Sequence, residues 1–519
     1  KGAASVAHIY GQNVAAAESL TSNSQFWAHA PSDLKPVIDF AFASGINLPV
    51  IHTSVHQPVD DKKPGLSLAI FGQFFNRHES WAEMAKPWID YLARSSYLLQ
   101  QGRNVADLAY FYGEEGPLTE LYRLGPPKDV PRQHGWDFIG PDVLLTAVRV
   151  ENGELVAKGG ARYKAIYLGG SSTRMTLPVL RKLAELVDAG AIVIGKAPQS
   201  SPSLADDPAA YAALRAQLWN GSEGVMFGKG RVITSQDTDA ALASAGVLPA
   251  FQFRGTRTNH EIMVVERQTD SGRIYFLHNR NEHEEKVEAR LRVAGMKPEV
   301  WHADTGRTEP LSYRVEGETT VVPLTLAAAD SRFVVFRQTA EPTSSTTTVL
   351  EMVPLATIDK DWSVSFQPGR GAPQTEIKLD RLSPLNEHVD QGVRFFSGVS
   401  TYRTRFTLSV SPSKGKPLWL DLGAVGDLAE VRVNGQQVGT AWHAPWRVDI
   451  ASAARGVVNT LEVRVANLWV NRLIGDAQPE ASKIAWTAVR TYGKDAPLRP
   501  SGLIGPVRIL EERRASVGR

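Results

Sequence analysis

The chain has no cysteine in 519 residues. That excludes disulfides, thiol nucleophiles and Cys-ligated zinc together, and it leaves the compartment open. It also lacks an excess of either charge: 57 Lys and Arg stand against 55 Asp and Glu, a formal net charge of +2, with no long basic run. A nucleic-acid partner is therefore not expected. No stretch of about 20 apolar residues exists, so no membrane-spanning helix is expected. No internal repeat and no signal peptide is visible, although the first residue is Lys, not Met, and the expectation is a cut or processed N-terminus. What is present is ordinary for a globular protein: 43% hydrophobic and 22% charged residues. The length suggests three or four domains. The 12 Trp and 13 Tyr suit sugar rings as stacking platforms, and equally suit packed cores.

Residues 1–103 alternate between strand and helix patterns. A short strand is expected at 4–9, a helix at 31–44 closed by Gly45, an apolar strand at 46–52, and a long loop carrying Phe71, Phe74 and Phe75. A helix follows at 79–101, with Pro87 as a kink and Trp81 and Trp88 on its core face. This β-α-β-loop-α order reads as the C-terminal part of a (β/α)8 barrel, with an upstream part expected to be missing, because about 250 residues are typical of the whole. Residues 104–250 read as a doubly wound α/β domain, with strands at 105–112, 163–168 and 191–194 and a helix at 177–189. The turn at 169–173 lacks the spacing of a P-loop or dinucleotide fingerprint, 198–213 reads as a surface excursion, and Glu114 and Glu115 as a solvated loop. Residues 251–345 read as a β-rich domain, and 339–348 as a linker or strand connection. Residues 346–519 read as a jelly roll or related sandwich with an Asn434-Gly435 type I′ hairpin. The fold class is thus multidomain α/β plus β.

The chemistry is sought where strands end. The small-residue run 14–17 terminates on Glu18 and enters a Ser/Thr/Asn loop. Catalytic groups of β/α barrels sit at the C-terminal ends of strands, and a Glu there serves as acid, base or nucleophile; the alternative is a capping or solvated Glu. His52 ends the next strand and either bonds a sugar hydroxyl or packs the loop. His56 and Gln57 follow it in the loop, as ligand contacts or as residues of the loop itself. Their four-residue separation does not make His52 and His56 a zinc pair, because no helix carries them. Asn76, Arg77 and His78 line a pocket rim or, for Arg77, pair locally. Asn13 is a candidate for positioning Glu18 or a hydroxyl. Trp442, Trp446 and Trp469 are sugar platforms or sandwich core.

Three segments together carry a family resemblance: 11–22 with Glu18; His52-Thr53-Ser54-Val55-His56-Gln57-Pro58; and Phe75-Asn76-Arg77-His78-Glu79-Ser80-Trp81 with its continuation to Gly102 and Asp107. Their order and spacing resemble the C-terminal half of the barrel of glycoside hydrolase family 106, the α-L-rhamnosidases. The tail, through 398–406 and Val431-Arg432-Val433-Asn434-Gly435, resembles the sugar-binding, galactose-binding-like sandwich of many multidomain glycosidases. The resemblance implies hydrolysis of terminal α-L-rhamnosyl bonds with inversion, by two carboxyl groups about 6.5–9.5 Å apart. Glu18 falls on one of that pair, as general base or acid, with the base favoured; the other is expected on an earlier strand. The family also implies calcium at the sugar hydroxyls. No calcium-loop motif is present, the metal ligands are unassigned, and no organic cofactor is expected.

Two other readings compete. A β-galactosidase or β-glucuronidase relative keeps the architecture and changes the sugar, although such enzymes usually place the sandwich first. A noncatalytic carbohydrate-binding fragment would follow from an incomplete barrel, whose strand edges are exposed. The expected partner is a carbohydrate or glycoside, and the expected location periplasmic or secreted.

Overall fold

The computed structural model describes residues 1–514 except 222–223, 256, 258–260, 341–342, 348–349, 410–411 and 413–414. Part of the connection expected at 339–348 therefore lies outside the described residues. The chain divides into two compact units, each assembled from separate stretches of sequence. The first comprises Lys1–Ala17, Asp39–Pro49 and Ala93–Thr347; the second comprises Glu18–Ile38, Val50–Leu92 and Thr348–Arg519. Residues 1–103 are thus shared between them.

The first unit opens on an α-helix, Gly2–Tyr10, where a strand was expected. The Ala-rich stretch has high helix propensity. Gly11, at φ 75°, ends the helix with its N–H on the Ala7 and His8 carbonyls. Ser5, buried although polar, donates to Asp137 at 3.2 Å and accepts from the Phe138 N–H at 3.0 Å. Helix Pro31–Ala43 ends as expected. Gly45 takes φ 95°; its N–H reaches Phe42 O at 2.9 Å while the Ile46 N–H reaches Ala41 O at 3.1 Å, a Schellman close.

The centre of this unit is a mainly parallel sheet. Its strands lie in the order Trp136–Ile139, Leu108–Phe111, Ala165–Leu168, Ile192–Ile194 and Gly230–Ile233, with Gly224–Phe227 antiparallel at the edge. Counting the parallel strands along the chain gives the spatial order 2-1-3-4-5, a doubly wound arrangement. Helix Leu177–Asp188 buries Leu180, Leu183, Leu186 and Val187 on one face. The stretch expected as a surface excursion runs instead into helix Pro208–Leu218, capped by Asp207, whose carboxylate accepts from the Ala209 and Ala210 N–H groups; Pro at the first helical position needs no hydrogen bond there. Two antiparallel sheets follow, of five and six strands, around a core that includes Tyr275, Leu277, Val322 and Phe336.

In the second unit, a four-stranded sheet (Leu350–Ile358, Val507–Arg514, Leu418–Asp421, Arg447–Asp449) and a six-stranded sheet enclose one apolar core. The longer sheet runs Ile377–Leu379, Trp362–Phe366, Gly398–Thr407, Val458–Asn467, Leu428–Val433 and Gln436–Ala441. Along Gly398–Thr407, Tyr402, Thr404 and Phe406 are buried and Arg403, Arg405 and Thr407 exposed, the period-two pattern of a strand with one wet face. Asn434 (φ 52°) and Gly435 (φ 81°) make the hairpin expected from sequence. Helix Lys86–Leu99 begins at Lys86, later than expected, so Pro87 starts this helix and does not kink it; a short 3-10 turn, Ala82–Met84, precedes it.

In the first unit, Asp107 accepts from His134 Nδ1 at 2.7 Å and from Arg292 Nη2 at 2.9 Å. Burial would raise its pKa, but the His134 bond and the Arg292 charge outweigh that and hold it below the usual carboxylate range. Removing the acid leaves a partly buried Arg292 unpaired, so Asp107→Ala should cost about 3–5 kcal/mol in urea unfolding at neutral pH. A depressed folded-state pKa stabilises above the unfolded value of about 3.9 and loses that contribution as pH falls through the folded one. The gap between wild type and Asp107→Asn should accordingly narrow on acidification below pH ~4; a gap independent of pH would refute this assignment.

Candidate active site

Strand Ala16–Ser19 and strand Leu48–Ile51 form a two-stranded sheet, and the His52 N–H donates to Ser19 O at 3.0 Å. Glu18 is exposed on the first strand. Its Oε1 accepts from Thr21 Oγ at 2.9 Å, so one carboxylate oxygen is held by the loop that follows while the side chain faces solvent. That loop is conformationally costly. Leu20, Ser24, Gln25 and Trp27 have φ of 70°, 62°, 54° and 50°, and each non-glycine residue in the left-handed region costs about 1–2 kcal/mol. Backbone bonds tie it to the second candidate loop: Ser24 N–H to Ile70 O at 2.8 Å and Gly72 N–H to Ser22 O at 2.8 Å. His29 Nε2 lies 3.0 Å from Ser22 Oγ; burial lowers its pKa against the pull of Asp33.

In the second loop, several predicted residues hold the loop itself. The Gln57 side chain is buried, donating to Leu66 O and accepting from the Leu66 N–H, both at 2.9 Å. Arg77 is exposed and pairs locally, donating to Asp60 Oδ1 at 2.7 Å and Gln57 O at 2.8 Å. The Arg77 bond to Asp60 and that of His78 Nε2, 3.3 Å from the same carboxylate, pull the Asp60 pKa down. His56 is exposed. His52 packs edge-on against Phe71, ring centroids 5.5 Å apart. Asn76 Oδ1 accepts from the His78 N–H at 2.8 Å. Among the described residues, His52 Nδ1, Asn76 Nδ2, His78 Nδ1 and both ends of the Gln73 amide are buried without a hydrogen-bond partner. Buried polar groups are almost always satisfied, so this stretch carries unspent hydrogen-bonding capacity. Asn13 belongs to the first unit, where its side chain bonds the Gln100 carbonyl and the Arg267 guanidinium.

Residues beyond the sequence-based candidates complete the picture. Arg499 donates to Asp33 Oδ2 and to Asp427 Oδ1, each at 2.7 Å, and to Ala28 O at 3.3 Å. Asp427 is buried and its pKa is raised by that burial, against the opposing charge of Arg499. Tyr492 donates to Phe26 O at 2.7 Å, and Trp469 Nε1 to His78 O at 2.8 Å. Apart from Asp427, 72 residues from Arg499, the partners lie hundreds of residues apart, so no local pattern marks them. Trp442 and Trp469 are buried, Trp442 against Trp88 and Tyr91, and Trp446 packs on the sandwich core. Trp442 and Trp469 therefore fill cores.

In the α/β sheet the turn at 169–173 is closed by its own chain. The Gly170 N–H donates to Tyr110 Oη at 3.0 Å and the Ser171 N–H to Tyr112 O at 3.0 Å, while Ser171 Oγ accepts from Glu115 and Gly116 N–H groups. Glu114 is not a solvated loop carboxylate: it accepts from Thr176 N–H and Oγ at 2.7 and 2.8 Å, at the start of helix Leu177–Asp188. Among the described residues no three His, Asp or Glu side chains gather as a metal site.

Comparison with known proteins decides the family. Residues 1–315 match the profile of glycoside hydrolase family 106, described as alpha-L-rhamnosidase. The chain belongs to that family. Residues 384–496 match a glycosyl hydrolase 2 galactose-binding domain-like profile. The structure of a rhamnosidase from Novosphingobium sp. PP1Y superposes with a TM-score of 0.93 at 56% identity, covering 98% of this chain and 48% of that one. A putative beta-glucuronidase from Formosa agariphila is 24% identical over 97% of this chain and 63% of its own length. The chain therefore spans about half of the first relative and under two thirds of the second. A Ruminococcus gnavus β-glucuronidase structure, at 21% identity, covers 24% of this chain and 23% of its own with a TM-score of 0.19, too little overlap to bear on the fold.

Glu79, next to His78, is fully buried, and burial pushes its pKa well above the usual carboxylate value, with Asp427 adding repulsion and the Ser80 N–H opposing. Folded protein then keeps a proton that the unfolded chain releases above about pH 4.3, so this group's effect on stability worsens as pH rises from there. Glu79→Gln should gain stability relative to wild type between pH 4 and 8 in denaturant unfolding. Parallel pH profiles for the two proteins would show that Glu79 is not held protonated.

Proposed function

We infer that the intact protein hydrolyses terminal α-L-rhamnosyl bonds with inversion, and that Glu18 is one of its two catalytic carboxyl groups. The observation that carries this is an exposed carboxylate at a strand end inside the segment matching the rhamnosidase family. Residues 1–103 are read as part of a (β/α)8 barrel, in which that position is the catalytic face. The sandwich is read as a jelly roll of galactose-binding type, in keeping with the profile over 384–496.

In this reading Glu18 is the general base. It takes a proton from a water that attacks the anomeric carbon from the face opposite the leaving oxygen, while the second carboxyl group protonates that oxygen. The bond from Thr21 aims the carboxylate and leaves Oε2 for the water. His52 and Asn76 are read as sugar contacts, with His56 at the rim. Gln57, Arg77 and His78 serve by keeping the loop in shape.

Glu18→Gln keeps the size and the Thr21 bond but removes the base, so kcat on 4-nitrophenyl α-L-rhamnoside should fall by ~10²- to 10⁴-fold. Proton NMR of the first-formed rhamnose in the wild type should show the β anomer. A fully active Glu18→Gln, or a first-formed α anomer, would contradict the respective part of this reading. Preferential cleavage of the β-D-glucuronide would move the substrate to that of the Formosa agariphila relative's name.

A further inference from the structure

The loop after Glu18 does not hold its own shape. With Leu20, Ser24, Gln25 and Trp27 in the left-handed region, it persists only where its surroundings over-determine it. Inside the loop the side-chain ties include those of Thr21 to Glu18, of Ser22 to Ser24 O and His29, and of Asp33 to the Ala30 N–H. Much of the remaining restraint comes from residues 468–501. The Trp27 ring, fully buried, sits 4.8 Å from that of Phe74 in a cluster completed by Trp469 and Leu473, with Phe26 and Tyr492 against it. Tyr492 fixes the Phe26 carbonyl, and Arg499 fixes the Ala28 carbonyl and the Asp33 carboxylate.

Each of these ties is itself braced. Asn471 clamps the Arg499 backbone, donating to its carbonyl and accepting from its N–H, both at 2.8 Å. Asp427, which receives Arg499, also accepts from the Leu468 N–H at 3.1 Å. Trp469 holds the His78 carbonyl of the second candidate loop, while the Arg370 guanidinium lies 4.0 Å from its ring centroid. A segment whose role would otherwise be read as part of a sugar-binding accessory therefore grips both loops that carry the candidate site.

We propose that residues 468–501 are a strut of the active site, and that Arg499 is a positioning residue that acts on Glu18 through the loop at 20–33. The positioning role rests on the reading of Glu18 as catalytic; the strut itself does not.

The test uses the intact protein with Arg499→Ala, Arg499→Lys, Tyr492→Phe and Trp469→Phe. Arg403→Ala, on the outer face of the sandwich where Arg403 pairs with Glu462 and Ser365, is the control. Amide hydrogen exchange is read for peptides within 20–33 and, for comparison, within 177–194. Exchange at 20–33 should rise several-fold in the Arg499 and Tyr492 variants and stay unchanged at 177–194 and in the control. On 4-nitrophenyl α-L-rhamnoside, Arg499→Ala should lose on the order of 10- to 100-fold in kcat with KM nearly unchanged, and added guanidinium should restore part of it. Arg499→Lys should fall short of wild type, because one ammonium does not span two carboxylates as a guanidinium does. Should Arg499→Ala fail to fold, Tyr492→Phe, which deletes a single donor, carries the same reading. Unchanged exchange at 20–33 in the folded variants would overturn the strut whether or not the rhamnoside is cleaved. Kinetic losses matched by the control, while Glu18→Gln is inactive, would overturn the positioning role and leave the function standing.

Discussion

One guanidinium shared between two carboxylates organises the second unit. Arg499 stands between Asp427, buried among the strand ends of the sandwich, and Asp33, which accepts from the Ala30 N–H at 2.8 Å at the start of helix Pro31–Ala43. A buried carboxylate is costly without a partner, so Asp427 requires the arginine. The arginine in turn fixes the first turn of that helix and the carbonyl of Ala28. The stretch between Glu18 and the helix leans on ties of this kind, because four of its residues occupy backbone conformations they would not hold alone. The position of a candidate catalytic carboxylate thus depends on residues more than 400 positions away in sequence.

The turn at 169–173 and the loop after Leu48–Ile51 differ in how their polar groups are spent. In the α/β sheet, the crevice where the strand order reverses is where such folds usually take a ligand, yet its turn is closed by Tyr110, Tyr112 and Ser171. In the second unit, the loop after Leu48–Ile51 leaves imidazole and amide nitrogens unsatisfied at His52, Asn76 and His78. Rigidity and open capacity coexist in one loop: Gln57, Asp60 and Arg77 brace it from within, and Trp469 holds it by the His78 carbonyl. That combination suits a site that must present fixed hydrogen-bonding groups to a polyol.

Sequence reading succeeded where the signal is local. Gly45 after an apolar-periodic run marked a helix end, and Asn434-Gly435 marked a hairpin, because each conformation is dictated by the residue that adopts it. It failed at 4–9, where a short Ala, Val and Ile run reads equally as strand; what settles it is the burial of Ser5 against Asp137 and Phe138, a tertiary contact. Pro87 was misread for a related reason, since a proline looks the same at a helix start as inside one until the start is known. The family segments pointed to Glu18 and to the loop at 52–81, but not to how that loop is held. Gln57 and Arg77 look like ligand contacts by type, and the structure shows both bonded to their own loop. Arg499, Tyr492 and Trp469 were invisible as site residues, because their partners are fixed only by the folded chain.

The most direct test of the account is a crystal structure of the intact protein with an L-rhamnose-like iminosugar bound. The account predicts the sugar ring beside the loops at 18–33 and 52–81, with the Glu18 carboxylate on the face of the anomeric carbon opposite the leaving group and room for one water between them. A ring bound with Glu18 out of reach of that carbon, even by way of a water, would contradict it.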